Sequence, residues 1–258
     1  MEYRFSDKIA SLKPSAIREV LKATSVPGMI PFAAGNPAPD AFPVAEVQEI
    51  AADILKNRPI DALQYGVTEG YPELISLIKT RMKSKYGIGR DFDSIIITSG
   101  AQQVMDLSTK VLCNEGDVVI CESPSFIGSL NCFRSYNAKL VVVPVDADGM
   151  NIEALEKALD ENPNAKMIYT IPNFQNPAGV TMSLEKRHRL YELAKAHNVM
   201  ILEDNPYGDL RVAGEDVPNI KSFDEDGIVI YSGSFSKILA PGIRIGFTVA
   251  PAPVAAKM

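Results

Sequence analysis

One lysine in this sequence stands where an amine could become a nucleophile. Lys237 closes the run Ser232-Gly233-Ser234-Phe235-Ser236-Lys237, and Arg244 follows in Ala240-Pro241-Gly242-Ile243-Arg244-Ile245-Gly246-Phe247. Hydroxyls and a guanidinium are phosphate donors, and the lysine beside them supplies an amine. Most lysines are solvated surface charges. Lys237 differs because it follows a short apolar run, residues 228–232, among small residues. A desolvated lysine near Arg244 would have its proton affinity lowered, as condensation with a carbonyl requires.

Three further segments end apolar runs with residues able to hold a ligand. Thr98-Ser99-Gly100-Ala101-Gln102-Gln103 leads straight into a helical pattern. A small-residue turn there leaves backbone N–H groups unpaired and suits a phosphate, although Ser-Gly is also an ordinary helix cap. Pro172-Asn173-Phe174-Gln175-Asn176-Pro177-Ala178-Gly179 is a rigid loop able to aim an amide at a ligand oxygen; its bland reading is an Asn-Pro turn. Glu203-Asp204-Asn205-Pro206-Tyr207-Gly208 places a carboxylate at the end of a buried run, where it must be paired. Asp204 could meet a protonated ring nitrogen while the Tyr207 phenol donates to a ring oxygen. A plain helix cap with Pro206 in the first turn is the alternative.

These four segments need a scaffold that brings them together. Apolar runs rich in β-branched residues predict strands over 94–98, 118–121, 140–145, 167–171, 199–203 and 228–232. Helical patterns alternate with them over 101–112, 126–136, 152–159 and 184–197, and two more precede them over 44–56 and 74–86. An earlier helix is expected over 7–24, interrupted at Pro14. Buried strands without in-out alternation, separated by helices, predict a three-layer α/β/α domain with a mostly parallel sheet. Residues 245–250 follow the preceding strand too closely for a helical crossover and are predicted to run antiparallel. The ligand of such a fold sits beyond the carboxyl ends of its strands, where all four segments lie.

Composition narrows the function classes. With 258 residues, 46% hydrophobic and 22% charged, the chain has the balance of a globular domain. A net charge of −6 offers no cationic surface for nucleic acid, and no apolar run approaches the ~20 residues of a membrane span. Cys113, Cys121 and Cys132 form no C-x-x-C pair, which points to a reducing, cytoplasmic setting. His188 and His197 lie nine positions apart on one helical pattern, facing different directions, which disfavours a shared metal.

Taken in order, these segments resemble the fold-type I pyridoxal-phosphate enzymes, specifically the class I/II aminotransferases. The wording Asn-Phe-Gln-Asn-Pro-Ala-Gly, Glu-Asp-Asn-Pro-Tyr-Gly-Asp-Leu and Ser-Gly-Ser-Phe-Ser-Lys is similar to the 2-aminoadipate and aromatic or kynurenine-type subgroup. The resemblance runs from about Phe32 to Pro251 and implies transfer of an amino group between an α-amino acid and a 2-oxo acid. It makes Lys237 the Schiff-base lysine and proton carrier, Asp204 the partner of the pyridine nitrogen, and Asn176 and Tyr207 the partners of the ring's phenolic oxygen. Ser99, Gly100, Ala101, Gln102, Ser234, Ser236 and Arg244 form the phosphate site. Phe126, after Glu122-Ser123-Pro124-Ser125, takes a ring-stacking position usually held by tyrosine or tryptophan; it can stack but cannot donate a hydrogen bond. Gly35, in Ala34-Gly35-Asn36-Pro37, and Asn176 line the substrate pocket. Tyr65 reaches a dimer partner's phosphate, unless it is a buried core tyrosine.

The resemblance also implies a homodimer and a division into residues 1–45, an N-terminal arm with part of a small domain, and residues 46–258, the cofactor-binding large domain. Family chains are longer, so the expectation is a chain truncated before its C-terminal small domain, with transamination by this chain alone weak. A carbon–sulfur β-lyase on the same fold is a rival, as is a non-catalytic sensor domain that binds the cofactor. A Rossmann-type nucleotide binder fails because the first strand–helix turn lacks G-x-G-x-x-G.

Overall fold

Runs of Val, Ile and Leu between glycine- and proline-rich turns build the sheet that carries the site. The computed structural model describes residues 3–10, 28–30 and 35–258. Of the helix expected over 7–24, the described part is α1, Asp7–Ala10; the rest, with Pro14, lies outside the described residues, as do Phe32, Ala33 and Ala34.

The chain divides into two compact units, Met1–Gly66 and Val67–Met258. The first contains α2, Val44–Asn57, and α3, Pro59–Leu63. Pro59 separates them, since proline fits a first helical turn but cannot continue the helix before it. The short α3 was not predicted. Four or five residues leave too few positions for a periodic signal.

The second unit opens with α4, Pro72–Tyr86, begun by Pro72 and ended by Gly87 in the left-handed conformation. That start lies two residues before the predicted one because proline opens the helix. The alternating part follows as β1 (Asp93–Thr98), α5 (Ala101–Leu112), β2 (Val118–Ser123), α6 (Ile127–Ser135), β3 (Lys139–Asp146), β4 (Gly149–Met150), α7 (Ile152–Glu161), β5 (Ala165–Thr170), α8 (Leu184–Ala196), β6 (Met200–Asp204), β7 (Val229–Ser234), β8 (Gly246–Pro251) and α9 (Ala252–Ala255). Every predicted strand is present, with ends shifted by one or two residues. The two-residue β4 pairs antiparallel with β3 at the sheet edge and was not expected.

The sheet order is β1-β8-β7-β6-β5-β2-β3-β4. Strands β3, β2, β5, β6 and β7 are parallel, and β8 is antiparallel to both β7 and β1. β1 therefore runs in the direction of β7. The carboxyl ends of β1, β7, β6, β5, β2 and β3 and the amino end of β8 share one edge, where Gly246 pairs with both Thr98 and Ser234.

Both faces of the sheet are covered. Ile120, Ile168, Ile201 and Val229 pack with Leu155, Leu159, Leu190 and Ala194 of α7 and α8. Their neighbours Val119, Met167, Leu202 and Ile230 face the other way, toward Val104, Met105 and Phe133 of α5 and α6. Each such fully buried aliphatic side chain contributes roughly 1.5–3 kcal/mol. This is the three-layer α/β/α arrangement with a mostly parallel sheet.

Candidate active site

The turn between β1 and α5 is built on glycine. Gly100 caps α5 with φ 77° and ψ 170°, a region open essentially to glycine alone. A Cβ there would lie 2.4 Å from Arg244 Nη2. Gly246, at the start of β8, packs so closely that a Cβ would meet Gly100 C at 2.6 Å and Ala101 N at 2.8 Å. Among the described residues no side chain caps the first N–H groups of α5, which leaves Ala101 and Gln102 amides at the positive end of the helix. Gln102 Nε2 donates to the Gly128 carbonyl at 3.2 Å, joining this turn to the start of α6 beside Phe126.

Two loops meet at the ends of β5 and β6. Asn176 Nδ2 donates to Tyr207 Oη at 3.0 Å, so the predicted pair is assembled directly. Burial raises the Tyr207 phenol above its ordinary value, keeping it protonated and able to donate. Gln175 braces the first loop: its Nε2 donates to Glu122 Oε2 (3.0 Å) and the Pro124 carbonyl (2.8 Å), and its Oε1 accepts from Ala178 N (2.8 Å).

Asp204 ends β6 and is 4% exposed. Tyr169 Oη donates to its Oδ2 at 2.9 Å. Among the described residues its Oδ1 has no hydrogen-bond partner within bonding geometry, and neither has Oγ of Ser232, its register neighbour in β7. Burial pushes the Asp204 carboxyl up to about 6, against the pull of the Tyr169 hydrogen bond and of the nearby Ser232 hydroxyl. A buried acceptor left open in this way is the mark of a missing donor.

Lys237 lies in the turn just beyond β7 and is partly buried, with its pKa lowered by burial. The Arg244 guanidinium is turned to carbonyl oxygens, Nη2 to Ser99 (3.0 Å) and Nη1 to Pro241 (3.1 Å). Ser234 Oγ accepts from Ser236 N at 3.1 Å, folding the serine run into a tight turn.

Gly35 and Tyr65 lie in the first unit. Gly35 has φ 55°, and Tyr65 is 99% exposed, which overturns the reading of a buried core tyrosine. His188 stacks on Phe223 with ring centroids 4.2 Å apart, and His197 lies 3.7 Å from Asp160, so each has its own partner.

Sequence reasoning missed the polar groups beneath the loops. Glu122, buried at the end of β2, accepts from Thr170 Oγ1 (2.7 Å), Ile171 N (3.1 Å) and Gln175. The rule that singled out Asp204, a carboxylate ending an apolar run, would have found it. Arg187 on α8 is fully buried and donates to the carbonyls of Met182, Val217, Pro218 and Pro172 and to Asn173 Oδ1. No sequence signal separates it from the surface charges around it.

Comparison with known proteins agrees with this geometry. Residues 27–258 match the family model for aminotransferase class I and II. Aromatic-amino-acid aminotransferase 1 of Thermococcus litoralis is 45% identical over 253 residues, and 2-aminoadipate transaminase of Thermus thermophilus is 37% identical over 249. Those alignments cover 96% and 95% of this chain, which spans 61% of the length of either relative. The crystal structure of Pyrococcus horikoshii kynurenine aminotransferase, solved with PMP, superposes with a TM-score of 0.92 at 40% identity, covering 98% of this chain and 64% of that one. A matching family model over most of the sequence, with the same fold at this identity, leads to one conclusion: the chain belongs to the class I and II aminotransferases.

Proposed function

We propose that this protein is a pyridoxal-phosphate-dependent aminotransferase that moves an amino group between an α-amino acid and a 2-oxo acid. The observation that carries the reading is the open, buried Oδ1 of Asp204 on the sheet edge that also bears Lys237 and the Gly100 turn. The donor set fits the cofactor group by group. Asp204 is the acceptor for a protonated ring nitrogen, and the Asn176–Tyr207 pair supplies donors for a phenolic oxygen. The amides of the 99–102 turn, Ser234, Ser236 and Arg244 hold a phosphate, and Phe126 offers a ring face.

Bound there, the cofactor supplies an aldehyde for condensation with amines and a ring that takes up electrons released at the substrate's Cα. Lys237 Nζ is the covalent attachment point and the group that moves the proton at Cα. Its partial burial favours the neutral amine that both tasks need. Asp204, ionised above about pH 6, holds the ring nitrogen's proton in place.

We further read residues 46–258 as the cofactor-binding domain and 1–45 as an N-terminal arm with part of a small domain. Asn176 lines the substrate pocket in this reading. The exposure of Tyr65 supports a homodimer in which it reaches the other subunit's phosphate. Three free cysteines favour the cytoplasm. The relatives' names make aromatic amino acids, kynurenine and 2-aminoadipate the first amino donors to assay.

The test is cofactor uptake. Protein incubated with pyridoxal phosphate is expected to gain a near-ultraviolet or visible absorbance band, and borohydride reduction to leave the cofactor's mass on the peptide containing Lys237. Lys237→Ala is expected to lose both. Uptake on another lysine, or no uptake at all, sinks the proposal.

A further inference from the structure

Asp204 is held from behind by two hydroxyls. Tyr169, in the middle of the sheet on β5, donates to Oδ2 at 2.9 Å, and Ser129 of α6 donates to Tyr169 Oη at 2.9 Å. Both residues are buried, and the Tyr169 ring is fixed edge-on against Phe133 with centroids 5.3 Å apart. A phenol whose oxygen already accepts a hydrogen bond is polarised into a stronger donor, and the low local dielectric strengthens the chain. Burial, together with the Asp204 charge, holds the Tyr169 phenol well above its ordinary value, so it keeps its proton and donates. The arrangement occupies one oxygen of the carboxylate and leaves the other open.

Resting on the cofactor reading above, we propose that Tyr169 and Ser129 are positioning residues. They form a two-hydroxyl relay that fixes the orientation of Asp204, sustains its negative charge inside the sheet and reserves Oδ1 for a protonated ring nitrogen. Ser129 acts through Tyr169, and Tyr169 acts through Asp204. The relay reaches the site from the helical layer, so the packing of α6 on β5 is coupled to the electrostatics of the pocket.

Tyr169→Phe removes the donor and keeps the ring; Ser129→Ala removes only the polarising group. In the ligand-free full chain, carbon-13 NMR of labelled aspartates, with Asp204 assigned through Asp204→Asn, reports the carboxyl directly. Loss of a hydrogen bond to a charged group is expected to raise its midpoint by about one pH unit in Tyr169→Phe, and by less in Ser129→Ala. Affinity for pyridoxal phosphate is expected to fall on the order of tenfold in Tyr169→Phe. The pH at which the bound cofactor's spectrum changes is expected to move down, because a less charged Asp204 holds the ring proton less well. An Asp204 midpoint unmoved in Tyr169→Phe, or in Ser129→Ala should the first variant not fold, overturns the relay. A midpoint that moves in the variants, with a wild-type chain that takes up no cofactor, upholds the relay and overturns the cofactor reading on which its use depends.

Discussion

Arg244 Nη2 donates to the Ser99 carbonyl oxygen across 3.0 Å, joining residues 145 positions apart in sequence. The contact exists because β8 runs antiparallel, which brings its amino end beside the carboxyl end of β1. Arg244 itself sits in the left-handed region, with φ 59°, a conformation uncommon for a side chain of this size.

Gly100 should be as important to this turn as the arginine. In Gly100→Ala the new Cβ would collide with Arg244 Nη2 and force an L-residue into a glycine-only region. Stability is expected to fall by about 1–3 kcal/mol, and affinity for pyridoxal phosphate to weaken on the order of tenfold, as for the loss of a charge-assisted contact in Arg244→Ala. Urea unfolding and fluorescence titration read the two effects separately. Wild-type affinity in Gly100→Ala would show that Arg244 does not need its present seat.

Glu122 should make stability depend on pH. Burial pushes its carboxyl from 4.5 up to about 7, despite three donors that favour the ionised form. Between those values the folded chain binds more protons than the unfolded one. The contribution is therefore fully present below about pH 4.5 and is lost as pH rises through about 7. Relative to Glu122→Gln, the wild type is expected to lose about 3 kcal/mol of stability between about pH 4.5 and about pH 8. A difference that stays constant across that range would refute the assignment.

Lys221 should be a stability residue with no part in ligand binding. Its ammonium, wholly buried, lies 2.7 Å from Asp93 Oδ1 and 2.9 Å from Asp224 Oδ2. Lys221→Met strands two buried carboxylates and is expected to cost about 3–5 kcal/mol. Replacing both acids by asparagine in the same variant is expected to recover much of that loss. Chemical denaturation of the three proteins decides it, and equal stability of single and triple variants would count against the ion-pair account.

Arg187 should hold the Asn173–Gly179 loop in place. Its guanidinium donates to the Pro172 carbonyl and Asn173 Oδ1 at 2.9 and 2.8 Å, and to the Val217 and Pro218 carbonyls on another segment. Lysine has three donors on a single nitrogen and cannot span these acceptors. Arg187→Lys is expected to cost about 3 kcal/mol through buried carbonyls left unpaired. Faster amide exchange through the 173–180 loop is the accompanying sign, and unchanged exchange would remove Arg187 from any role in placing Asn176.

The sequence by itself determined what each segment is. β-branched runs named the strands, proline and glycine marked where helices open and close, and polar residues at run ends picked out Lys237, Asp204, Asn176 and Tyr207 as candidates for a ligand site. These are local matters, settled by side-chain shape and backbone preference within a few residues. Tertiary structure decided which strand ends are neighbours, and with that the seat of Arg244 against Ser99 and the pairing of Asn176 with Tyr207. It also gave roles to residues whose types are silent: Tyr169 reads as core in Met-Ile-Tyr-Thr-Ile, and Lys221 and Arg187 read as surface charges until both are found buried. The physical reason is that a buried polar group takes its meaning from the partner that satisfies it. For Asp204 and Tyr169, 35 residues apart, that partner is supplied by the packing of adjacent strands, not by the neighbouring chain.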